Sequence, residues 1–147
     1  MSSNGHPGRG DYPVFRTITT RWMDNDLYGH VNNVTYYSYF DTAVNQYLIE
    51  VGGLDIHHGP VVGFVVSSSC DYLRPVAFPE RIEAGLRVEH LGNRSVKYGV
   101  GIFREGEDAI CAHGSFVHAF VNRAGSQAVA IPEPIRTALE HLHVQQD

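Results

Sequence analysis

At 147 residues, 43% apolar and 18% charged, the chain has the make-up of one ordinary globular domain, not of a disordered, collagenous or two-domain protein. Its net charge of -5, with 11 Lys and Arg spread along the sequence, speaks against a nucleic-acid footprint and leaves any anionic ligand to a local cluster of cations. Cys70 and Cys111 are the only cysteines; far apart and in strand-like stretches, they read as small buried apolar residues in a reducing compartment.

The first ten residues, MSSNGHPGRG, are small, polar and broken by Gly and Pro. They lack the apolar stretch of a signal peptide, and a flexible tail is expected through residue 11, ahead of a single domain over residues 12–147. No run approaches the length needed to span a bilayer, so a soluble cytoplasmic protein without membrane contact is expected. From Pro13 to Trp22, β-branched and aromatic residues predict the first strand. A polar loop follows, punctuated by Gly29, with Asn32 and Asn33 where an Asx side chain caps a helix starting near Val34.

That helix is expected to run to Val51. It contains no Gly or Pro, its apolar positions 36, 40, 43, 44, 47, 48 and 51 recur at helical spacing, and Gly52-Gly53 ends it. Tyr36 and Phe40 fall on the buried stripe, assigned to packing first and to a ligand pocket second. Asp41 interrupts the stripe, either solvated or paired to a loop side chain. LDIHHGP reads as a solvated loop, since adjacent His57 and His58 lack the spacing of a helical metal pair. Four strands are expected next, Val61 to Leu73, Arg81 to Leu91, Ser95 to Phe103 and Ala109 to Val121, separated by turn chemistry. Pro134, Ile135, Leu139 and Leu142 mark a short terminal helix.

The order is α+β, one strand, a long helix, then four mostly antiparallel strands. An open sheet of this kind leaves two exposed edges, which gives a physical motive for at least a homodimer.

No Gly-x-Ser-x-Gly elbow, HExxH or other convincing metal spacing occurs, and no cofactor is expected. Carboxylates remain. Asp24 and Asp26 flank Asn25 and would face one side of an extended segment, close enough to shift one another's pKa. Asp26 stands just ahead of the helix, whose unpaired amides and positive dipole end favour an ionised carboxylate and attract a developing oxyanion. An ordinary Asx turn is the plainer alternative for a loop aspartate. His30 is read as structural support for the loop, held through hydrogen bonds, and Asn32 as a cap. Asn33 is a cap that also offers its backbone N–H to a ligand.

The run DNDLYGHVNNVTYYSYFDTA closely resembles the signature of the hotdog-fold acyl-CoA thioesterases of the 4-hydroxybenzoyl-CoA thioesterase type, and CDYLRPVAFPERIEAGLRVEHLGNRSVKYGV resembles the second half of that domain. The resemblance covers nearly everything from Tyr12 to Leu142. It implies an antiparallel sheet of about five strands wrapped around one central helix, dimers or tetramers joined through their sheets, and hydrolysis of an acyl-CoA, or an acyl carrier protein thioester, to acid and thiol. By the motif, Asp26 is the catalytic residue, acting as nucleophile through a mixed anhydride or as base on water. Asn33, Tyr36, Phe40 and Phe64 are then expected to meet the acyl thioester. Arg74, Arg94, Ser95 and Lys97 are candidates for the phosphates of coenzyme A, although solvated charges are the commoner fate of such residues. The same scaffold also hosts non-catalytic acyl-binding modules and dehydratases or hydratases, and fold alone does not separate these.

Overall fold

The computed structural model describes residues 5–124 and 127–143. Strand β1 (Val14–Thr19) leads through the polar loop to helix α1 (Thr35–Glu50); strands β2 (Val61–Tyr72), β3 (Arg81–Leu91), β4 (Ser95–Arg104) and β5 (Ile110–Asn122) follow, and helix α2 (Glu133–Glu140) comes last. All neighbouring strands are antiparallel, in the order β1-β3-β4-β5-β2. After α1 the chain therefore crosses to the far edge of the sheet, the β2–β3 connection crosses back to place β3 beside β1, and hairpins then carry β4 and β5 toward β2. This is the hotdog arrangement, a five-stranded antiparallel sheet around a long helix.

Packing follows from the pleat and the helical repeat. Alternate residues Ile82, Ala84, Leu86 and Val88 of β3 and Val96, Tyr98, Val100 and Ile102 of β4 face α1, which answers with Tyr36, Tyr39, Phe40, Ala43, Val44, Tyr47 and Leu48. Each fully buried Phe or Leu contributes about 1.5–3 kcal/mol relative to exposure. The helix ends where expected, because Gly53 takes a positive φ of 71° and Leu54 N–H returns to the Leu48 carbonyl. Two stripe positions differ from expectation. Val51, just past the last helical turn, is exposed, and Tyr39 is buried in its place because its hydroxyl has a partner inside. Asp41 is solvated and accepts from Asn45 on its own helix.

The folded part begins earlier than residue 12. Arg9–Asp11 form a 3-10 turn in which Arg9 pairs with Glu83 at 2.7 Å and lies over the Phe103 ring. Tyr12 covers Gly85 and Gly101 on the outer face of the sheet so closely that a Cβ at either glycine would meet its ring within 2.7 Å. Residues 1–4 of the expected tail lie outside the described residues. No helix among the described residues is long and apolar enough to cross a membrane.

Strand β2 is an edge of the sheet, and Phe64, Val65 and Val66 stand exposed along it. His118 on β5 is fully buried between Phe116 and Phe120, with Tyr98 Oη 3.4 Å from its Nδ1, and burial pushes its pKa down to about 4. It is a neutral core residue at ordinary pH.

Candidate active site

The loop between β1 and α1 folds as a three-residue hairpin. Asn25 bridges Val31, Asp26 N–H donates to the His30 carbonyl at 2.9 Å, and Gly29 N–H donates to the Asp26 carbonyl at 3.0 Å. Gly29 takes φ 81°, the left-handed position such a hairpin reserves for glycine. The Asp26 carboxylate oxygen Oδ1 accepts the Tyr28 N–H at 2.9 Å. The Asx turn anticipated as the plain role of Asp26 is thus present. It uses one carboxylate oxygen and holds the half-buried side chain facing a cavity.

The hairpin is docked on two sides. Val31 N–H reaches the Val76 carbonyl at 2.7 Å and Phe78 N–H reaches Asn25 Oδ1 at 3.0 Å, tying it to the β2–β3 connection. That connection is itself clamped by Arg104, which donates to the Pro75 carbonyl at 2.5 Å and pairs with Glu80 at 3.2 Å. On the other side Asp24 turns inward. Its carboxylate is buried and accepts from Tyr39 Oη at 2.8 Å and from the Arg21 N–H and guanidinium, while its carbonyl accepts Asn32 N–H. The two aspartates do not share a site. Burial pushes the Asp24 pKa up, but hydrogen bonds from Tyr39 and Arg21 outweigh it and hold the carboxyl below its ordinary value.

At the helix entrance Asn32 acts as the cap, its Oδ1 accepting Val34 N–H at 3.0 Å and its carbonyl accepting Thr35 N–H at 2.9 Å. The Asn33 carbonyl receives Tyr36 N–H and, at 2.9 Å, Tyr72 Oη. Among the described residues the Asn33 N–H has no acceptor. His30 supports the loop through its backbone carbonyl; no hydrogen bond from its exposed ring is found among the described residues.

A cavity of about 520 Å³ opens here, bounded by Asp26, His30, Asn33, Tyr36, Tyr72 and Arg74. A second, of about 450 Å³, adjoins it across Leu73 and Arg74 and is closed by His6–Gly8 and Asp108–Ile110. Asp26, His30, Asn32, Asn33, Tyr36 and Arg74 are therefore brought together as the sequence suggests. Others are not. Phe40 is 0% exposed and belongs to the core, not to this cavity. Phe64, Arg94 and Ser95 lie at the other end of the sheet, where Phe64 and Ser95 both face Ala119, whereas Tyr72 faces Ala112. Seven residues of β5 separate the two levels, about 23 Å of extended strand. Lys97 stands 3.9 Å from Glu89 at that same end. Tyr72 is the site residue that sequence reading missed. Its only signal is its place at the end of a strand just before the Leu73-Arg74-Pro75 turn.

Among the described residues no serine or cysteine offers an activated nucleophile. Ser67, Ser68 and Ser69 sit on the exposed edge without an imidazole partner among the described residues, and burial raises the thiol pKa of Cys70 to about 11 and that of Cys111 in the same direction. Among the described residues no group of three or more metal-ligating side chains comes together.

A model of the thioesterase superfamily matches residues 28–111, more than half of the chain. The match takes in His30, Asn32, Asn33, α1, Tyr72 and Arg74 and begins two residues beyond Asp26. The crystal structure of the PA5185 protein from Pseudomonas aeruginosa is similar at 61% identity, over 96% of this chain and 99% of that one, with a TM-score of 0.94. YsmA from Bacillus subtilis is 27% identical over 88% of this chain and 87% of its own. Slr0204 from Synechocystis, a 1,4-dihydroxy-2-naphthoyl-CoA thioesterase, shares the fold with a TM-score of 0.76 over 85% of this chain and 93% of its own, at 16% identity.

The Asp24 geometry fixes a pH dependence. A carboxyl whose folded pKa lies below its unfolded value contributes stability that is present above the unfolded value, about 4, and is lost as pH falls through the folded one. Asp24→Asn is expected to cost about 1–3 kcal/mol at pH 7, through weakened bonds to Arg21 and Tyr39. In thermal melts the gap between parent and variant should close as pH drops below about 4. A gap that stays constant down to pH 2 would contradict an ionised Asp24.

Proposed function

Because the chain belongs to the thioesterase superfamily, we propose that it hydrolyses an acyl-CoA thioester to the free acid and coenzyme A, with Asp26 as the reacting carboxylate. The observation that carries this reading is the pairing of Asp26, one oxygen held by Tyr28 N–H and the other uncommitted among the described residues, with the unengaged Asn33 amide across one cavity. A thioester carbonyl lying between them meets a carboxylate on carbon and an N–H at the helix entrance on oxygen, the arrangement acyl transfer requires. The fold shared with a 1,4-dihydroxy-2-naphthoyl-CoA thioesterase supports a coenzyme A substrate.

Two routes fit the geometry. In one, Asp26 attacks the carbonyl carbon, the C–S bond breaks, the thiolate leaves and takes up a proton from solvent, and water then cleaves the mixed anhydride to regenerate the carboxylate. In the other, Asp26 takes a proton from a water that adds to the carbon, the tetrahedral oxyanion collapses with loss of thiolate, and the proton passes to sulfur. In both, the Asn33 N–H carries the oxyanion.

We place the working unit in a dimer joined through β2. Antiparallel pairing of two such edges about their middle sets the Val61 end of one strand beside the Tyr72 end of its mate. It thereby brings Phe64, Arg94, Ser95 and Lys97 of one copy to the same end as the Asp26 cavity of the other. Their distance from Asp26 within one chain then has a structural reason.

Asp26→Asn keeps the side chain's shape and the Tyr28 hydrogen bond but removes the charge. Turnover of the best acyl-CoA should fall on the order of 10² to 10⁴ in kcat, with KM moving little and the melting transition unchanged. Near-parental kcat in a folded variant would reject the assignment. Light scattering at micromolar concentration should report a dimer or a multiple of it; a stable monomer with full thioesterase activity would contradict the β2 interface.

A further inference from the structure

The cavity that Asp26 lines and the neighbouring one meet at Arg74, which lines both. The chain has ten arginines, and eight of them hold a carboxylate or a carbonyl through their guanidinium. Among the described residues Arg74 and Arg94 hold none, and Arg94 sits on the turn at the far end of the sheet. The backbone under Arg74 is fixed. Leu73 N–H and Arg74 N–H both donate to the Cys111 carbonyl, at 2.8 and 3.0 Å, and Arg104 holds the Pro75 carbonyl next to it. A guanidinium left without an acceptor on so firm a base, at the wall of a cavity that also holds a carboxylate, is placed to receive an anion from outside.

Scale distinguishes which anion. A cavity of 520 Å³ is equivalent to a sphere about 10 Å across, and both Asp26 and Arg74 line it. The pantetheine arm of coenzyme A puts about thirteen bonds between sulfur and the first phosphate, about 15 Å at the reach per bond of an extended polypeptide. With the thioester at Asp26, the phosphates fall outside that cavity, whereas a charge on the acyl group falls within it. The walls are mixed, with polar groups of Tyr28, His30, Asn32 and Tyr72 beside the apolar Val31, Leu73 and Pro75, so that a small acyl body and a charge both find partners there.

We infer that Arg74 anchors a carboxylate carried by the acyl group, so that the preferred substrates are thioesters of short-chain or single-ring dicarboxylic acids. This rests on the thioesterase reading above. The guanidinium offsets the repulsion a second carboxylate meets from Asp26, and its planar fork sets the distance from anchor to scissile carbonyl.

The test compares 4-carboxybenzoyl with 4-methylbenzoyl thioesters, each on coenzyme A and on N-acetylcysteamine, which has no phosphate. The parent protein should prefer the carboxylated acyl group on both carriers. Arg74→Gln should lower the carboxyl-to-methyl ratio of kcat/KM on the order of 10- to 100-fold on both, and Arg74→Lys should restore part of it, because the charge returns without the fork. An unchanged melting transition checks folding. Loss confined to the coenzyme A esters, whatever the acyl group, would overturn the inference and assign Arg74 to phosphate; an unchanged ratio would overturn it as well. Turnover of the methyl esters with an Arg74-independent ratio rejects the anchor alone, while no turnover of any ester by the parent protein, long and short alkyl thioesters included, rejects the thioesterase reading with it.

Discussion

The bond on which the rest of this structure depends is the one between the buried Asp24 carboxylate and the Tyr39 hydroxyl. It joins the inward side of a polar loop to the buried face of α1, and Arg21 closes the network from the loop side. Breaking a buried charged hydrogen bond leaves an unpaired group inside, so the loop has one low-energy position on the helix. From Asp24 the constraint passes through its carbonyl to Asn32 N–H, and Asn32 in turn caps the helix. The catalytic role is proposed for Asp26, and Asp24 helps to fix where Asp26 stands.

The 3-10 turn Trp22–Asp24 breaks the extended chain, so that the two aspartates divide this labour. Asp24 faces the core and Asp26 faces the cavity, with Asn25 between them bonded to Phe78 N–H of the β2–β3 connection. Each contact alone is worth about 1 kcal/mol, yet together they hold a short hairpin on two rigid neighbours. Such support lets one oxygen of Asp26 stay free of structural duty while the other is fixed by Tyr28 N–H.

Element positions were legible in the sequence because the signals are local. Gly52-Gly53 ends α1, β-branched runs form the strands, and Gly29 marks the left-handed residue of the hairpin. The hairpin residues Asp26, His30, Asn32 and Asn33 gather at one site because they are neighbours in the chain. What was not legible depends on topology. Phe64, Arg94 and Ser95 read as ligand contacts, and only the strand order shows that within one chain they stand at the end of the sheet opposite Asp26. Burial of Tyr39 depends on Asp24, and the packing of Arg9 and Tyr12 depends on the clearance over Gly85 and Gly101, residues distant in sequence. Phe40 lies where the helical period puts it, fully inside, and so leaves the cavity to Tyr36 one turn earlier.

The most direct measurement of the central claim is a crystal structure of the Asp26→Asn protein holding an uncleaved acyl thioester. The scissile carbon is expected within about 3.5 Å of the residue 26 side chain and the carbonyl oxygen about 3 Å from the Asn33 N–H. A thioester seated elsewhere, or one whose carbonyl turns away from Asn33 with residue 26 out of reach, would contradict it.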